Sequence, residues 1–362
     1  MSKKIVIIGA GPIGCYTAQI LKTYGCDVLL VEEHNEVGKP IHCTGLVGSN
    51  VFNEKRPFLL SRSSIINTIN GAVIHYDGQS FSIQREKVAY VIDRERFDKD
   101  LSHGLNILYQ NLFLGFEKID SGYVVETDKN ELFADILIGA DGANSALRKL
   151  LNQDSNISYH RGIQFRMRLK PRFKDMVEVY LRNHSFFWVV PEAEDIVRVG
   201  TISEKPYQEL QKFLKEEKIK GEVLGRFGGV VTIGVCKNTV NGNIALVGGA
   251  ACQLKPLSYG GIYFGLKTAS ILASCIKENH LSDYDSLWKK ELAFEIKVGL
   301  KVKEIYANLK PKELEGIFSL LKKEKSIIEK KGDFESHGRL IIEILKKPSF
   351  YRYFGNLLKM FF

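Results

Sequence analysis

Three glycines stand close together near the start of the chain, as Gly9-Ala10-Gly11-Pro12-Ile13-Gly14, and an acid, Glu32, follows further on. Each has a physical use at a phosphate. Gly9 allows a tight turn, Gly11 lets the backbone approach a pyrophosphate, and Gly14 lets a helix pack close to a strand. The helix that starts here, with Ile13 in its first turn, turns N–H donors and a positive dipole end toward the anion. Glu32 can accept hydrogen bonds from ribose hydroxyls. The chemistry implied is capture of a dinucleotide.

The elements that must position these residues are visible on either side. Ile5-Val6-Ile7-Ile8 is a continuous β-branched run, as in a buried parallel strand. Ile13, Thr17, Ile20, Leu21 and Tyr24 then fall on one helical face. Pro12 sits early in that helix, where its missing N–H costs nothing. Gly25 ends the helix, and Val28-Leu29-Leu30-Val31 is a second strand closed by Glu32. A lone GxGxxG is weak evidence; strand, glycines, helix, strand and acid in order are strong evidence for a Rossmann-type fold.

The 362 residues suffice for two domains, and 44% hydrophobic with 26% charged residues is ordinary for a globular protein. No apolar run approaches the ~20 residues of a membrane span. The N-terminus carries no cleavable signal pattern, so a cytoplasmic location is expected. Six scattered cysteines form no CxxC pair, so neither a metal site nor a disulfide framework is expected. The net charge is +9, and residues 281–362 hold 17 Lys and Arg against 12 Asp and Glu, more than half of the excess. Such a surplus suits an anionic surface, lipid or nucleic acid; the simpler reading is a solvated lysine-rich helix surface.

Four further segments resemble the geranylgeranyl reductase family of flavoproteins, and the likeness runs over nearly the whole chain. Glu32 to Val47, with Cys43-Thr44-Gly45, resembles the family's loop beside the flavin ring. Tyr90 to Asp98 resembles its arginine-containing stretch, Arg94 matching the arginine that contacts FAD. Ala134 to Ser145 resembles its strand followed by an Asp-Gly pair, here Asp141-Gly142, next to the pyrophosphate. Asn243 to Ile262 resembles the second flavin motif, where Gly261 and Ile262 would offer backbone N–H groups to the flavin N1/O2 edge. In that motif Gly249 replaces the family's ribityl-binding aspartate, and Cys252 and Tyr259 replace glycines.

The resemblance implies an α/β fold: a Rossmann-type FAD-binding domain (1–48, 85–155 and 236–285), an inserted β-rich substrate domain (49–84 and 156–235) and a helical C-terminus (286–362). Alternating stretches such as Ile163–Leu169 and Val177–Tyr180 agree with the inserted sheet. The resemblance also implies FAD, reduction of C=C bonds in geranylgeranyl lipid chains, and an electron donor such as ferredoxin or another reduced carrier. No second GxGxxG marks a nicotinamide site, and no nucleic-acid partner is expected. Cys43 is the expected residue at the reaction centre, with a buried inert thiol as the alternative. Phe187 and Trp188, with Phe186, are expected along an apolar tunnel, with sheet core as the alternative. His42 and His184 are given no role, since a lone histidine is more often structural. Two other functions remain open: a flavin monooxygenase or halogenase on the same scaffold, and a non-catalytic lipid- or partner-binding relative with an impaired flavin site. After Pro348, Phe350, Tyr351, Phe354, Leu357, Leu358, Phe361 and Phe362 follow helical spacing beside Arg352 and Lys359, which suits peripheral membrane contact.

Overall fold

The computed structural model describes residues 3–347 apart from Glu54 and Asn183. The aromatic and basic segment after Pro348, expected to meet a membrane, lies outside the described residues.

The first expectation is met strand for strand. Lys4–Ile8 leads through Gly9–Gly11 into helix Pro12–Thr23 and strand Asp27–Val31. These belong to a six-stranded sheet ordered Val240–Asn241, Ile244–Leu246, Ile136–Gly139, Lys4–Ile8, Asp27–Val31, Ile107–Leu108. All its pairings are parallel except the outermost, between Val240–Asn241 and Ile244–Leu246. A parallel strand covered on both faces needs apolar side chains in both directions. Ile5 and Ile7 accordingly join the core under helices Pro12–Thr23 and Ile262–Lys277, while Val6 and Ile8 join the core on the opposite face. There the cover is a three-stranded sheet of Phe113–Ile119, Gly122–Thr127 and Glu131–Ala134.

The second large layer is an eight-stranded sheet. Its order is Glu222–Gly234, Ile157–Arg168, Ile196–Ser203, Ser185–Ala193, Val177–Arg182, Ile65–Tyr76, Gln79–Ile92, Leu46–Gly48. The domain limit expected at residues 84 and 85 falls inside a strand and moves. Gln79–Ile92 is continuous, Ile65 pairs with Ile92, and Leu46–Gly48 adds to Ala89–Val91, so the sheet extends through Ile92 and takes in residues 46–48. The expected β-rich stretch also contains a helix, Pro206–Glu216; its Leu210 and Phe213 pack on one face of the sheet.

Helices Tyr284–Asn308, Pro311–Lys323, Lys325–Lys331 and His337–Leu345 complete the chain. They tie the two layers together. Trp288 is fully buried in the nucleotide-domain core and donates Nε1–H to Thr239 at 2.8 Å. Phe318 packs against Tyr76 and Phe81 of the large sheet. Glu335 reaches back to accept from the Gly48 N–H at 2.7 Å and from Lys255 Nζ at 2.6 Å. Among the described residues no helix is long and apolar enough to cross a membrane.

Candidate active site

The glycine loop shows why each glycine is there. Gly9 has φ of +96°, and a Cβ on it would lie 2.7 Å from the Ala140 carbonyl oxygen. A Cβ on Gly14 would lie 2.0 Å from the Gly9 carbonyl oxygen, so only glycine lets helix and loop approach this closely. Gly11 differs: nothing lies within 4 Å of its missing Cβ. It opens into a cleft of about 790 Å³, bounded by Gly9–Ile13, Glu32, Arg94 and Asp141–Asn144.

Glu32 stands at the end of strand Asp27–Val31. Its Oε2 accepts from the Ala10 N–H at 2.8 Å and its Oε1 pairs with His34 Nδ1 at 2.6 Å. The carboxylate is thus held at the mouth of the glycine loop. Asp141 is set differently. Its Oδ2 accepts from the Ala146 N–H at 2.8 Å, at the start of helix Ala146–Leu150, while Oδ1 is buried without a partner on the wall of the cleft. Burial pushes this carboxyl up from its ordinary range, against the bonds from Ser145 and the backbone. A buried polar atom without a partner costs about 1–3 kcal/mol. A ligand hydroxyl donating into the cleft would remove that cost. An orphaned carboxyl oxygen and a wall bare of side chains at Gly11 fit a dinucleotide in this cleft.

Arg94 sits on the same cleft, at the start of helix Arg94–Ser102. It holds Asp98 one turn on, with Nε and Nη2 at 3.1 and 2.8 Å. Burial pulls its pKa down, but Asp98 and the neighbouring Cys43 more than offset this and hold it charged. Burial pushes the Asp98 carboxyl up, with Arg94 opposing.

A second cavity of about 460 Å³ lies against the large sheet. Its wall is mostly apolar, with Ile69, Val88, Val179, Phe186 and Trp188 from the strands and Phe334 from the C-terminal region. Cys43 and Thr44 line this cavity, not the nucleotide cleft. The two spaces share His42 and Gly229, so the Cys43 loop is the partition between them.

Some expected site residues lie elsewhere. Phe187 does not line the tunnel. Side chains of a strand alternate faces, so Phe186 and Trp188 face the cavity while Phe187 points the other way and stacks on Phe213 at 4.3 Å. Gly45 reaches neither cavity; with φ of +72°, a Cβ there would meet the Ile92 carbonyl at 2.6 Å, so its use is close packing. Gly261 and Ile262 also line neither space. Gly261 precedes helix Ile262–Lys277, where a Cβ on it would lie 3.1 Å from Leu254, and Ile262 packs on the core. The neighbouring loop keeps left-handed backbone at Cys252 (φ +55°) and Tyr259 (φ +57°), the two positions where glycine was expected. Gly249 does line the cleft, where a Cβ on it would lie 3.3 Å from Gly142. His42 bonds the Gly228 carbonyl and His184 the Ala307 carbonyl.

Arg148 escaped the sequence reading. It is fully buried and joins the two loops that bound the cleft. Nη2 donates to the Ala143 carbonyl at 2.6 Å and to Tyr159 Oη at 3.0 Å. Nη1 donates to the carbonyls of Ala250 at 3.0 Å and Gly249 at 3.4 Å, and Nε pairs with Asp154 at 2.6 Å. The available signal was Ser145, which caps the helix by accepting from the Arg148 N–H at 3.0 Å and so marks the turn that carries this arginine. All six cysteines are free, and among the described residues no cluster of three His, Cys, Asp or Glu could hold a metal ion.

Fold and cleft together define an α/β dinucleotide-binding protein with a large sheet over its cofactor side. Residues 4–42 match the family model of the pyridine nucleotide-disulphide oxidoreductases. An uncharacterized protein of Methanocaldococcus jannaschii is 34% identical over 371 residues, covering 94% of each chain. The digeranylgeranylglycerophospholipid reductase of Methanococcus vannielii is 27% identical over 396 residues, covering 99% of this chain and 98% of the other. A geranylgeranyl bacteriochlorophyll reductase-like protein from Thermoplasma acidophilum has the same fold, with a TM-score of 0.85 at 22% identity and 99% coverage of both chains. The chain belongs to the geranylgeranyl reductase family, and it is an FAD-dependent oxidoreductase.

Proposed function

We propose that this protein reduces C=C bonds in geranylgeranyl chains of isoprenoid lipids. The observation that carries the reading is the apolar cavity of about 460 Å³ meeting the nucleotide cleft at His42 and Gly229. An isolated alkene offers a site no polar handle, so it must be held by shape and apolar surface. Phe186, Trp188, Val179 and Ile69 supply that surface. The names of the relatives at 25–27% identity, digeranylgeranylglycerophospholipid reductases, support the same substrate class.

FAD, once reduced, supplies a hydride at its ring. The chain's residues do the rest. Gly9, Gly11 and Gly14 would shape the phosphate cradle, Glu32 would face the adenosine ribose, and Asp141 with Gly142 would lie beside the pyrophosphate. Arg94 would steady the Cys43 loop beside the ring, and Cys43 and Thr44, on the partition between cleft and cavity, would stand where ring and alkene meet. Water is kept from that point by the apolar wall. Electrons come from a reduced carrier such as a ferredoxin, and the lipid is met at a membrane surface.

The test is anaerobic. Photoreduced holoprotein is mixed with digeranylgeranylglycerol phospholipid in mixed micelles, and flavin absorbance and lipid mass are followed. The expected result is return of oxidised flavin with a gain of two hydrogens per bond reduced. Flavin that stays reduced until oxygen is admitted, with oxygen then found in the lipid, refutes the reading and makes the protein a monooxygenase. Cys43→Ala is expected to keep its FAD spectrum yet change rate or product pattern; unaltered rate and products would remove Cys43 from the reaction centre.

A further inference from the structure

Hydride addition to an alkene leaves one carbon in need of a proton, and the wall of the apolar cavity holds few groups able to give one. Lys255 is committed to Glu335 at 2.6 Å and to the Phe334 carbonyl at 2.9 Å. His42 is bonded to the Gly228 carbonyl. Tyr259 is different. It lines the cavity, and its hydroxyl accepts from Lys303 Nζ on helix Tyr284–Asn308. The ammonium also sits 3.9 Å from the centre of the Tyr259 ring. Tyr259 adopts left-handed backbone, unusual and costly for a bulky side chain, at about 1–2 kcal/mol. The hydroxyl is held where it is at some expense.

The surroundings set the charge of this pair. Among the described residues no carboxylate lies within ion-pair distance of Lys303; the adjacent Glu304 is taken by Lys301 at 2.9 Å. Burial lowers Lys303 to about 8 and raises Tyr259 to about 12. His160, on strand Ile157–Arg168, packs its ring edge-on to Tyr259 at 5.5 Å; burial, then the Lys303 charge, lowers it to about 4. Tyr306, one turn along from Lys303, donates to the carbonyls of Arg182 and Ser185 at 2.5 and 2.7 Å and has no proton to spare. Near pH 7 the histidine is therefore neutral, the phenol protonated and the lysine charged. A cation beside a phenol favours the phenolate, and a lysine brought near 8 can return a proton at physiological pH.

We propose that Tyr259 is the acid that protonates the alkene, with Lys303 as the positioning residue that stabilises and reprotonates it. This rests on the alkene-reductase reading above. The balance is simple. The π bond breaks; one new C–H bond takes the hydride from reduced FAD, which is thereby oxidised. The other takes the Tyr259 Oη proton. The phenolate so formed receives a proton from the Lys303 ammonium, and the amine recovers one from solvent.

The test uses holoenzyme and has two readouts. The first needs no turnover: protein grown on 13Cε-labelled lysine is titrated by NMR. One lysine resonance is expected to titrate near pH 8, to vanish in Lys303→Met and to move in Tyr259→Phe. A Lys303 resonance that titrates with ordinary lysines, near ~10.4, overturns the proposal. The second is single-turnover oxidation of photoreduced enzyme by the geranylgeranyl lipid. Loss of a general acid costs about 10²–10⁴-fold, so Tyr259→Phe should lose at least ~10²-fold in rate with lipid affinity unchanged. The parent rate should fall as pH rises through about 8. Lys303→Arg, which keeps the charge but cannot release a proton, should complete this first turnover near the parent rate and slow only when turnover is repeated with added dithionite; a variant as fast as the parent in repeated turnover overturns the reprotonating role. Parent turnover that survives Tyr259→Phe undiminished overturns this proposal and leaves the reductase reading standing. A parent that never transfers hydride to the alkene overturns both.

Discussion

Replacing Arg148 by methionine should be the most damaging single change outside the glycine loop, and the structure gives its size. The side chain is fully buried and satisfies the carbonyls of Ala143 and Ala250, with a weaker bond to Gly249. Methionine fills much of the volume but leaves those acceptors without donors. Each costs about 1–3 kcal/mol when buried and unpaired. Asp154 loses its partner too, but its side chain is 32% exposed and water can replace the guanidinium, so little is added there. The expected loss of folding stability is about 3–5 kcal/mol, the range for breaking one side of a buried pair. The two loops joined by Arg148 both border the nucleotide cleft, so FAD must then order them on binding. An ordering cost of about 1.4–2.8 kcal/mol weakens affinity tenfold to a hundredfold. Lysine at 148 keeps the charge but only one short donor cluster instead of the planar fork, and should recover less than half of the loss. Urea unfolding with and without FAD, and FAD titration by fluorescence quenching, measure both quantities. An Arg148→Met protein within about 1 kcal/mol of the parent, with FAD affinity intact, would refute the reasoning that these loops depend on one another.

Two glycines should separate folding from binding. Gly11→Val places its side chain in open space and should leave unfolding nearly unchanged while FAD is lost, whereas Gly14→Ala meets the Gly9 carbonyl at 2.0 Å and should impair folding itself. Circular dichroism and flavin absorbance of both variants decide this; intact flavin content in Gly11→Val contradicts it. Gly249→Asp should tighten FAD binding by a charge-assisted hydrogen bond worth ~1.5–3 kcal/mol, since its Cβ meets Gly142 at 3.3 Å and needs only a small shift. Unchanged or weaker affinity in a titration would show that the loop had closed around glycine. His337 lines the apolar cavity, and burial, then Lys255, lowers it to about 3. Between that value and the unfolded ~6.5 only the unfolded chain binds the proton. Its contribution to stability is therefore complete above about 6.5 and falls by at most ~1.4 kcal/mol per pH unit below it, less whatever water in the cavity screens. Urea midpoints at pH 7 and pH 5 should differ less in His337→Gln than in the parent; equal differences would exclude His337 as a source of the acid sensitivity.

The sequence by itself determined the nucleotide half. Glycine spacing, a β-branched run and a closing acid are local signals, each tied to backbone geometry within a few residues, so strand, loop, helix and strand stood where expected. Arg94 and Asp141 came instead from the resemblance to the flavoprotein family, and both stand close to a helix start. Tertiary structure decided the rest. Which of Phe186, Phe187 and Trp188 faces the cavity depends on the register of the strand, since a shift of one residue exchanges the faces. The reach of the large sheet to Ile92 depends on pairing with Ile65 and Leu46–Gly48, distant in sequence. Arg148 became visible only when Ala143 and Ala250 were brought to either side of it, and the Tyr259–Lys303 pair only when helix Tyr284–Asn308 crossed behind the loop at 252–261. A charged side chain in a sequence carries no mark of whether water or protein will surround it; burial, which sets its pKa and its partners, is a property of the packed chain alone.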